Sequence, residues 1–395
     1  MPRFSVVVPT RNRPDLLEFC LEALAAQTFD DHEVIVSDNP TDAPARAVFE
    51  RWARSGWRYV RVDPPAPMHE NFERACTGAA GDYVAVVIDK TVLHPSALAV
   101  AARALEAQRA DIVTWWNEGY NPVDELRDVA SGRFVSAAEI RPPTLYDPAA
   151  EVGRRFANAE RRGVDPVHYF RGKIVFGAFS RRLLDRIRAE TGRVFYPLAP
   201  DYTSMVPACI LAERALDIGR PLLVSYNSVR SNGRLQSVDP GHARRFIEAA
   251  DPRIIGELPI PGLYTSTHNV VAYDLVSAAA RCPPGTAPPL DHVNLVRRAR
   301  EDLQAVVWTH RDERDAQYRL LEAAEQRLGV TPLPPSPPRP ADETAVAGAI
   351  RHAGVVRRLT HSLAQRAAAR RELYDSPEDA ARAADRHYTH LTIGA

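Results

Sequence analysis

The chain has 395 residues, more than one compact core usually holds, so we expect one large domain with a substantial appendage, or two domains. Its 50 basic and 50 acidic residues cancel, which argues against a protein built around binding nucleic acid or an anionic membrane. No apolar run approaches the roughly 18 residues of a membrane span, and the N-terminus lacks a signal-peptide pattern. These features predict a cytoplasmic protein. The four cysteines are far apart and are expected as buried thiols.

Strand and helix signals alternate through the first hundred residues. Short runs of β-branched and other apolar residues predict strands at FSVVV (4–8), HEVIVSD (32–38), WRYVRVD (57–63) and DYVAVVID (82–89). Stretches with helical periodicity lie between them, so we predict a parallel, doubly wound sheet. Ligands of such sheets bind beyond the carboxyl ends of the strands.

The pattern is less regular after residue 110. ADIVTWWNEGYNP (110–122) predicts a further strand, and a helix is expected to start near Asp201, where free backbone N–H groups favour a carboxylate. One long amphipathic helix is predicted over about 290–328. LPPSPPRPADE (333–343) is typical of a proline-rich linker, and the Ala/Arg-rich stretch 344–386 is predicted to be helical.

Asp38 and Asp89 each end a predicted buried strand, so both should project from the same edge of the sheet. A nucleotide needs a hydrogen-bond acceptor for its base or ribose and an anchor near its phosphates. The first turn after a strand reads PTRNRP, which is neither G-x-G-x-x-G nor a P-loop, so dinucleotide oxidoreductases and P-loop enzymes are disfavoured. Nucleotidyltransferases are disfavoured too, because they need paired acids for two cations.

Three segments resemble the glycosyltransferases of family 2, which have the GT-A fold. Residues 5–42 contain the strand, P-T-x-N-R, the helix, Q-T-F and E-V-I-V-x-D of that family. ENFERACTGAAGDYVAVVID (70–89) is similar to the segment that leads into the family's metal-binding D-x-D motif. APDYTSMVPACILA (199–212) resembles the helix start that carries the catalytic base. The resemblance covers about 230 residues.

The resemblance implies a fold and an activity. The fold would be a GT-A (Rossmann-like) domain over 1–235, with a mixed, mainly parallel sheet and helices on both faces. Beyond the resemblance, the residue patterns predict a helical extension (236–332) that could contact the acceptor or form a homodimer, the linker (333–343) and a helical tail (344–395). The activity would be inverting transfer of a sugar from a nucleoside-diphosphate sugar, UDP- or dTDP-linked, to an unidentified acceptor.

The family's site residues can be placed on this chain position by position. Asp38 would accept a hydrogen bond from the base, and Asp201 would deprotonate the acceptor hydroxyl. Asp89 matches the first acid of the metal motif. The remaining donor-side candidates are Pro9, Thr10, Arg11, Asn71, Lys90 and Thr91. The acceptor-side candidates are Trp116, His168, Arg171 and Tyr202, with Arg230 and Asn232 further along; tryptophans beside a strand are also typical of a core.

The chain departs from the family at the metal motif. Two or three acids normally hold Mg²⁺ or Mn²⁺ there, whereas this chain has Asp89, Lys90 and Thr91. Three hypotheses stay open: the Lys90 ammonium replaces the metal, Asp89 holds a weakly bound metal while Lys90 points away, or the domain is a non-catalytic binding or scaffolding module. The acids at 38 and 201 count against the third.

Overall fold

The structure of the chain is a computed structural model. It describes residues 1–121, 133–135, 140–159, 166–227, 231–331, 371–374 and 376–393. The proline-rich segment 333–343, residues 344–370 of the predicted helical stretch and Arg230 lie outside these residues.

Strands of the described residues form one sheet. They are β1 (Phe4–Thr10), β2 (His32–Asp38), β3 (Arg58–Arg61), β4 (Tyr83–Val86), β5 (Thr91–Leu93), β6 (Ile112–Tyr120), β7 (Arg133–Val135), β8 (Thr144–Tyr146), β9 (Gly177–Ser180), β10 (Ala215–Tyr226) and β11 (Arg371–Leu373). The main order is β11-β7-β6-β9-β4-β1-β2-β3, and β10 pairs with β5, β6 and β8.

Helices cover both faces of the sheet and build the region after it. They are α1 (Pro14–Ala25), α2 (Arg46–Trp52), α3 (Met68–Thr77), α4 (Ala97–Ala107), α5 (Pro148–Phe156), α6 (Pro166–Phe170), α7 (Arg181–Thr191), α8 (Pro200–Thr203), α9 (Met205–Leu211), α10 (Asn232–Val238), α11 (Pro240–Ala250), α12 (Ile254–Glu257), α13 (Thr267–Ala279), α14 (His292–Leu303), α15 (Arg311–Leu328) and α16 (Pro377–Ile393). A 3-10 turn spans Ile174–Phe176.

The first four strands run parallel, as the alternating pattern predicts. β1 lies between β2 and β4, and β2 pairs with β3, in parallel in each case. β9 is antiparallel between β4 and β6, and β6 pairs in parallel with β10. The mixed α/β architecture with helices on both faces and a helical C-terminal part is therefore confirmed. The parallel register brings the ends of β1, β2 and β4 to one edge of the sheet.

The apolar runs of the parallel strands are buried because both faces of the sheet are covered. Val6 and Val8 of β1 belong to a core cluster with Leu17 and Leu21 of α1. Val7 points the other way and belongs to a second cluster with Phe72 of α3. This alternation along a strand explains why the sequence shows continuous apolar runs there and not a polar/apolar alternation.

The predicted helix over 290–328 is two helices in the structure. α14 ends at Leu303, and α15 begins at Arg311. The β-branched pair Val306 and Val307 lies between them, and β-branched residues lose side-chain freedom in a helix. The Trp308 indole donates a hydrogen bond to the Leu303 carbonyl oxygen at 3.3 Å, which gives that helix-end carbonyl a partner. The two helices then pack against each other.

The C-terminal residues return to the sheet. β11 pairs with β7, where the sequence predicted helix, because its backbone completes a strand pairing that sequence periodicity cannot show. α16 packs on α1, β5 and β10 through Ala380, Ala381 and Ala384. No helix among the described ones has the length and apolar character needed to cross a bilayer.

Candidate functional site

The predicted site lies where β1, β2 and β4 end. Thr10 at the end of β1 pairs with Asp38 at the end of β2, and Asp89 follows β4 by three residues. The Thr10 hydroxyl donates to Asp89 Oδ2 at 2.8 Å, so the ends of β1 and β4 are tied together. The structure thus brings Thr10, Asp38 and Asp89 to a single edge of the sheet.

Asp38 is buried, and its two oxygens have different surroundings. Oδ2 accepts hydrogen bonds from the Tyr59 hydroxyl at 2.5 Å and the Ala45 backbone N–H at 2.7 Å. Oδ1 has no hydrogen-bond partner among the residues that the structure describes. Burial and the bond to Asp38 raise the pKa of Tyr59, which keeps its proton available for donation. One oxygen is therefore fixed by the protein, and the other can accept from a ligand.

Asp89 has a protein cation beside it that the sequence analysis missed. The Arg13 Nε lies 3.2 Å from Asp89 Oδ2, the same oxygen that accepts from Thr10. Burial raises the pKa of Asp89, while Arg13, the Thr10 hydrogen bond and Lys90 lower it. A signal for this pair was available: Arg13 follows β1, Asp89 follows β4, and strand ends of neighbouring parallel strands meet.

Lys90 lies in the turn between β4 and β5, and Thr91 is the first residue of β5. The Lys90 ammonium donates to the Ser231 hydroxyl at 3.0 Å, at the residue before α10. Its backbone carbonyl accepts from the Tyr226 N–H at 2.8 Å, and the Thr91 hydroxyl donates to the Ile88 carbonyl at 2.5 Å. The charge of Lys90 lowers the pKa of both Asp89 and Asp201. The ammonium therefore acts on both carboxylates.

The donor set at Asp89 fits a divalent cation poorly. Asp89 Oδ2 is engaged by Thr10 and Arg13, and Lys90 adds a second positive charge. In the part of the chain that the structure describes, no three His, Cys, Asp or Glu residues lie together as metal ligands would. Mg²⁺ and Mn²⁺ prefer several hard oxygen ligands and are repelled by nearby cations. Asp89 Oδ1, buried and without a partner among the described residues, is the one carboxylate oxygen left there.

Asp201 lies in the first turn of α8, close to where the sequence placed it. It is partly exposed, and burial raises its pKa above the ordinary value. Lys173, Lys90 and the backbone N–H groups of Asp201 and Tyr202 lower that pKa. Burial makes this carboxylate a stronger base, while the positive charges near it favour its ionised form, which is the form that can take a proton from a substrate.

Lys173 is a second residue that the sequence analysis did not find. It is 1% exposed, and its Nζ lies 3.5 Å from the ring centroid of Tyr169 and 3.7 Å from that of Tyr202. Nothing in the segment RGKIVF indicates this position, since the partner rings come from separate helices. Lys173 joins Asp201 and Tyr202 in one cluster.

The other donor-side candidates differ in their surroundings. Pro9 is buried and Arg11 is exposed. Asn71 is buried in α3, where its amide accepts from the Ser37 hydroxyl at 2.6 Å and donates to the Ser37 carbonyl at 3.3 Å. It also lies 3.5 Å from the Thr10 carbonyl, so Asn71 links α3 to the ends of β1 and β2.

The acceptor-side candidates lie mostly within the protein. Trp116 is 4% exposed in β6. His168 Nδ1 lies 2.7 Å from Glu151 Oε1, and Arg171 bonds both Glu151 at 3.2 Å and Asp217 at 3.0 Å. Tyr202 is partly exposed and adjoins Asp201, and Asn232 begins α10. Tyr202 is thus the candidate among them that the structure brings to Asp201.

Comparison with known proteins finds a family model that matches the N-terminal part of the chain. The model of glycosyl transferase family 2 matches residues 5–160, which include Asp38, Asp89 and Lys90 but not Asp201. The GalNAc(5)-diNAcBac-PP-undecaprenol beta-1,3-glucosyltransferase of Campylobacter jejuni is 29% identical over 106 residues. That match covers 25% of this chain and 33% of the relative, so the chain aligns with about a third of the relative's length.

Solved structures with a similar arrangement have low sequence identity. S. aureus TarS is 16% identical, with a TM-score of 0.42 over 83% of this chain and 53% of that one. TarS 1–349 in complex with UDP-GlcNAc is 15% identical, with a TM-score of 0.43 over 83% and 92%. The mannosyltransferase PcManGT from Pyrobaculum calidifontis, in complex with GDP-Man and Mn²⁺, is 20% identical, with a TM-score of 0.40 over 82% and 86%.

Proposed function

We propose that the chain, whose residues 5–160 match the model of glycosyl transferase family 2, transfers a sugar from a nucleoside-diphosphate sugar to a nucleophile of an acceptor, with inversion at the anomeric carbon. One observation carries this proposal. Asp38, Asp89 and Lys90 lie at one edge of the sheet, and the Lys90 charge acts on Asp201 as well. Base recognition, diphosphate binding and proton removal thus have candidate groups in one place.

Asp38 would select the nucleobase. Its buried Oδ1 needs a donor, and the ring N–H of uracil or thymine supplies one next to a carbonyl. Tyr59 and Ala45 hold the carboxylate in a single orientation, so little free energy is lost in ordering the Asp38 side chain when the base binds. This favours a UDP- or dTDP-linked donor. Pro9, Thr10, Arg11, Asn71 and Thr91 would shape the rest of the donor side.

Lys90 would stabilise the departing diphosphate. In the reaction, the bond between the anomeric carbon and the diphosphate oxygen breaks while the acceptor oxygen bonds to the opposite face of that carbon, and Asp201 takes the acceptor proton. Negative charge grows on the diphosphate, and an ammonium hydrogen-bonded to it stabilises that charge directly. Asp89 would hold Arg13 at the same place. The residues present thus favour the hypothesis that protein cations replace the metal.

The test is a calorimetric titration of UDP, and then of a panel of nucleotide sugars, with EDTA or with added Mg²⁺ or Mn²⁺. We expect binding that EDTA leaves unchanged and that Lys90→Ala weakens at least tenfold, because charge-assisted hydrogen bonds are lost. Arg54→Ala, at an exposed cation after α2, is the matched control and should bind as the parent protein does.

The other outcomes separate the alternatives. Binding that requires the metal would place Asp89 in a conventional metal-holding role. Nucleotide binding without turnover of any acceptor tried would favour the non-catalytic module, as would trace turnover that Asp201→Asn does not lower. Absence of nucleotide binding would contradict the proposal as a whole.

Asp201→Asn is expected to keep UDP affinity and to lose at least a hundredfold in kcat, because general-base catalysis contributes about 10²–10⁴-fold.

A further inference from the structure

The chain uses lysine at two positions only. Of its 50 basic residues, Lys90 and Lys173 are lysines and the others are arginines. Both lysines act on the pKa of Asp201. A lysine differs from an arginine in placing its charge on one compact ammonium, which fits where a broad guanidinium does not. The position of Lys90 belongs to the proposed diphosphate site, whereas Lys173 has no role there.

The Lys173 side chain is held on several sides. Its ammonium lies between the rings of Tyr169 and Tyr202, at 3.5 and 3.7 Å from their centroids. Such short distances to two ring faces favour a positive charge at this point. The side chain is 1% exposed, so the attraction is not screened by water.

The backbone before Lys173 is fixed as well. Gly172 has φ +75°, and a Cβ there would lie 2.6 Å from Cys209 Sγ in α9. The buried guanidinium of Arg155 donates to the carbonyl oxygens of His168 at 2.8 Å and Arg171 at 3.3 Å. The segment that carries Lys173 is therefore packed closely against α9 and hydrogen-bonded to Arg155 of α5.

We propose that Lys173 is a positioning residue for the transfer reaction: its buried ammonium, seated between Tyr169 and Tyr202, keeps the carboxylate of the neighbouring Asp201 ionised and able to take the acceptor's proton. This inference rests on the proposed role of Asp201 as the base. Tyr202 follows Asp201 in the chain, so the ring that contacts the ammonium belongs to the residue next to the proposed base. Lys173 contacts neither donor nor acceptor in this role.

The other charges around Asp201 leave Lys173 as its main counter-charge. Lys173 affects the pKa of Asp201 more than Lys90 does. The nearby carboxyl on α13 is Asp274, whose pKa the charge of Asp201 raises. α3 also packs on α8, but its acids pair with arginines: Glu70 with Arg74 at 3.7 Å, and Glu73 with Arg188 at 3.6 Å. His69, also in α3, has its pKa lowered by burial, which favours its neutral form.

The first experiment reads Lys173 directly and needs no substrate. Protein labelled with ¹⁵N-lysine gives two side-chain signals, because the sequence has two lysines. We expect the Lys173 signal, identified by its loss in Lys173→Arg, to shift as Asp201 titrates. The shift should be lost in Asp201→Asn. A Lys173 signal that titrates identically in Asp201→Asn would overturn the inference.

The second experiment is the pH profile of kcat/KM. Lys173 lowers the pKa of Asp201, so replacing it by methionine should raise that pKa and move the acid limb to higher pH. We expect a shift of about one pH unit or more, as for loss of an opposite charge near a carboxyl group, with the rate recovering within about threefold at high pH. Lys173→Arg keeps the charge and should keep the acid limb, even where its bulk lowers the rate.

A control removes a cation of α5 that is not among the main causes of the pKa shift of Asp201. Arg154 is exposed on that helix, and the causes for Asp201 do not include it. Arg154→Met should therefore leave the acid limb in place. An equal shift in both variants, or in neither, would refute the role of Lys173. An active protein whose Asp201→Asn variant keeps full kcat would instead refute the proposed base, while the ¹⁵N signal still reports on the pairing.

Discussion

Asp89 is an ionisable residue with none of its side chain exposed, and its surroundings explain how the fold tolerates it. Thr10 donates to one of its oxygens, and the Arg13 guanidinium lies beside the same oxygen. A buried carboxylate is costly unless it is paired and hydrogen-bonded. The pair at the rim of the sheet is therefore a stability feature as well as a candidate ligand site.

A double-mutant cycle tests this pair. We expect Arg13→Gln to lower the free energy of unfolding by about 3 kcal/mol, because the buried charge of Asp89 loses its ion-pair partner. Asp89→Asn in the same protein should recover part of that loss, giving a coupling energy of about 1–3 kcal/mol by urea unfolding. The exposed pair Arg51–Glu18 is the control and should couple by less than about 1 kcal/mol. Additive losses at Arg13 and Asp89 would contradict the pairing.

At the residue scale, the sequence could indicate the acids and not their partners. Asp38 and Asp89 end apolar runs, and Asp201 begins a helix, so local patterns indicate all three. Arg13 and Lys173 are different, because each meets its partner through the tertiary fold. The strand order identifies Arg13 once the sheet is known to be parallel. Lys173 needs Tyr169 of α6 and Tyr202 of α8 to meet at its ammonium, which no periodicity encodes.

Between elements, α13 of the helical extension supports the turn that carries Asp201. Asp274 Oδ2 accepts from the backbone N–H groups of Leu198 at 2.9 Å and Ala199 at 2.8 Å. These donors precede α8, and Asp274 is buried. The Asp274 carboxyl group thus joins the helical extension to the turn before Asp201. Burial raises the pKa of Asp274 to about 7, and Asp201 adds to the rise.

Removal of the Asp274 side chain should be costly. We expect Asp274→Ala to lower the free energy of unfolding by about 2–4 kcal/mol, since two buried N–H groups lose their acceptor. Asp274→Asn keeps an oxygen in place and should cost less. Asp291→Ala is the matched control, because Asp291 caps α14 in the same extension, and a lost N-cap costs about 1 kcal/mol. Equal losses at both acids, by urea unfolding, would contradict the bridging role.

Element boundaries show where sequence periodicity stops being informative. The apolar spacing over 290–328 holds on both sides of the break between α14 and α15, so the period alone predicts one helix. The break depends on the bond from Trp308 to Leu303 and on packing of the two helices. The early strands, by contrast, are set by their own composition, and their predicted bounds lie close to the observed ones.

For the whole molecule, the C-terminal helix α16 completes the packing under the sheet. The Tyr388 hydroxyl donates to Glu118 at 2.5 Å, and Arg382 pairs with Glu22 at 2.7 Å. Sequence analysis assigned this stretch to a separate tail, because its alanines and arginines resemble an isolated helix. Its apolar stripe has a specific partner in β5 and β10, which only the assembled sheet provides.

The titration of Glu378 in α16 makes the stability of the folded protein depend on pH. Burial and the nearby Glu22 raise its pKa to about 7, while an unfolded glutamate titrates near 4.3. The folded state therefore holds a proton that the unfolded state releases, so stability falls as pH rises from about 4 to 7. Glu378→Gln should stabilise the protein at pH 8 by an amount on the order of 2 kcal/mol and have little effect at pH 4, by thermal or urea unfolding. The same gain at both pH values would rule out this cause.

The position of α16 also determines when the chain can finish folding. The helix lies on α1 and β5, elements that the ribosome makes several hundred residues earlier, and it covers Ala23, Val92 and Val224. A chain still being synthesised has these apolar side chains uncovered by α16 until residues 377–393 have been made. Exposed apolar surface on partly made chains invites aggregation. The docking of α16 is therefore a late folding event that shields this face of the sheet from contact with other partly made chains.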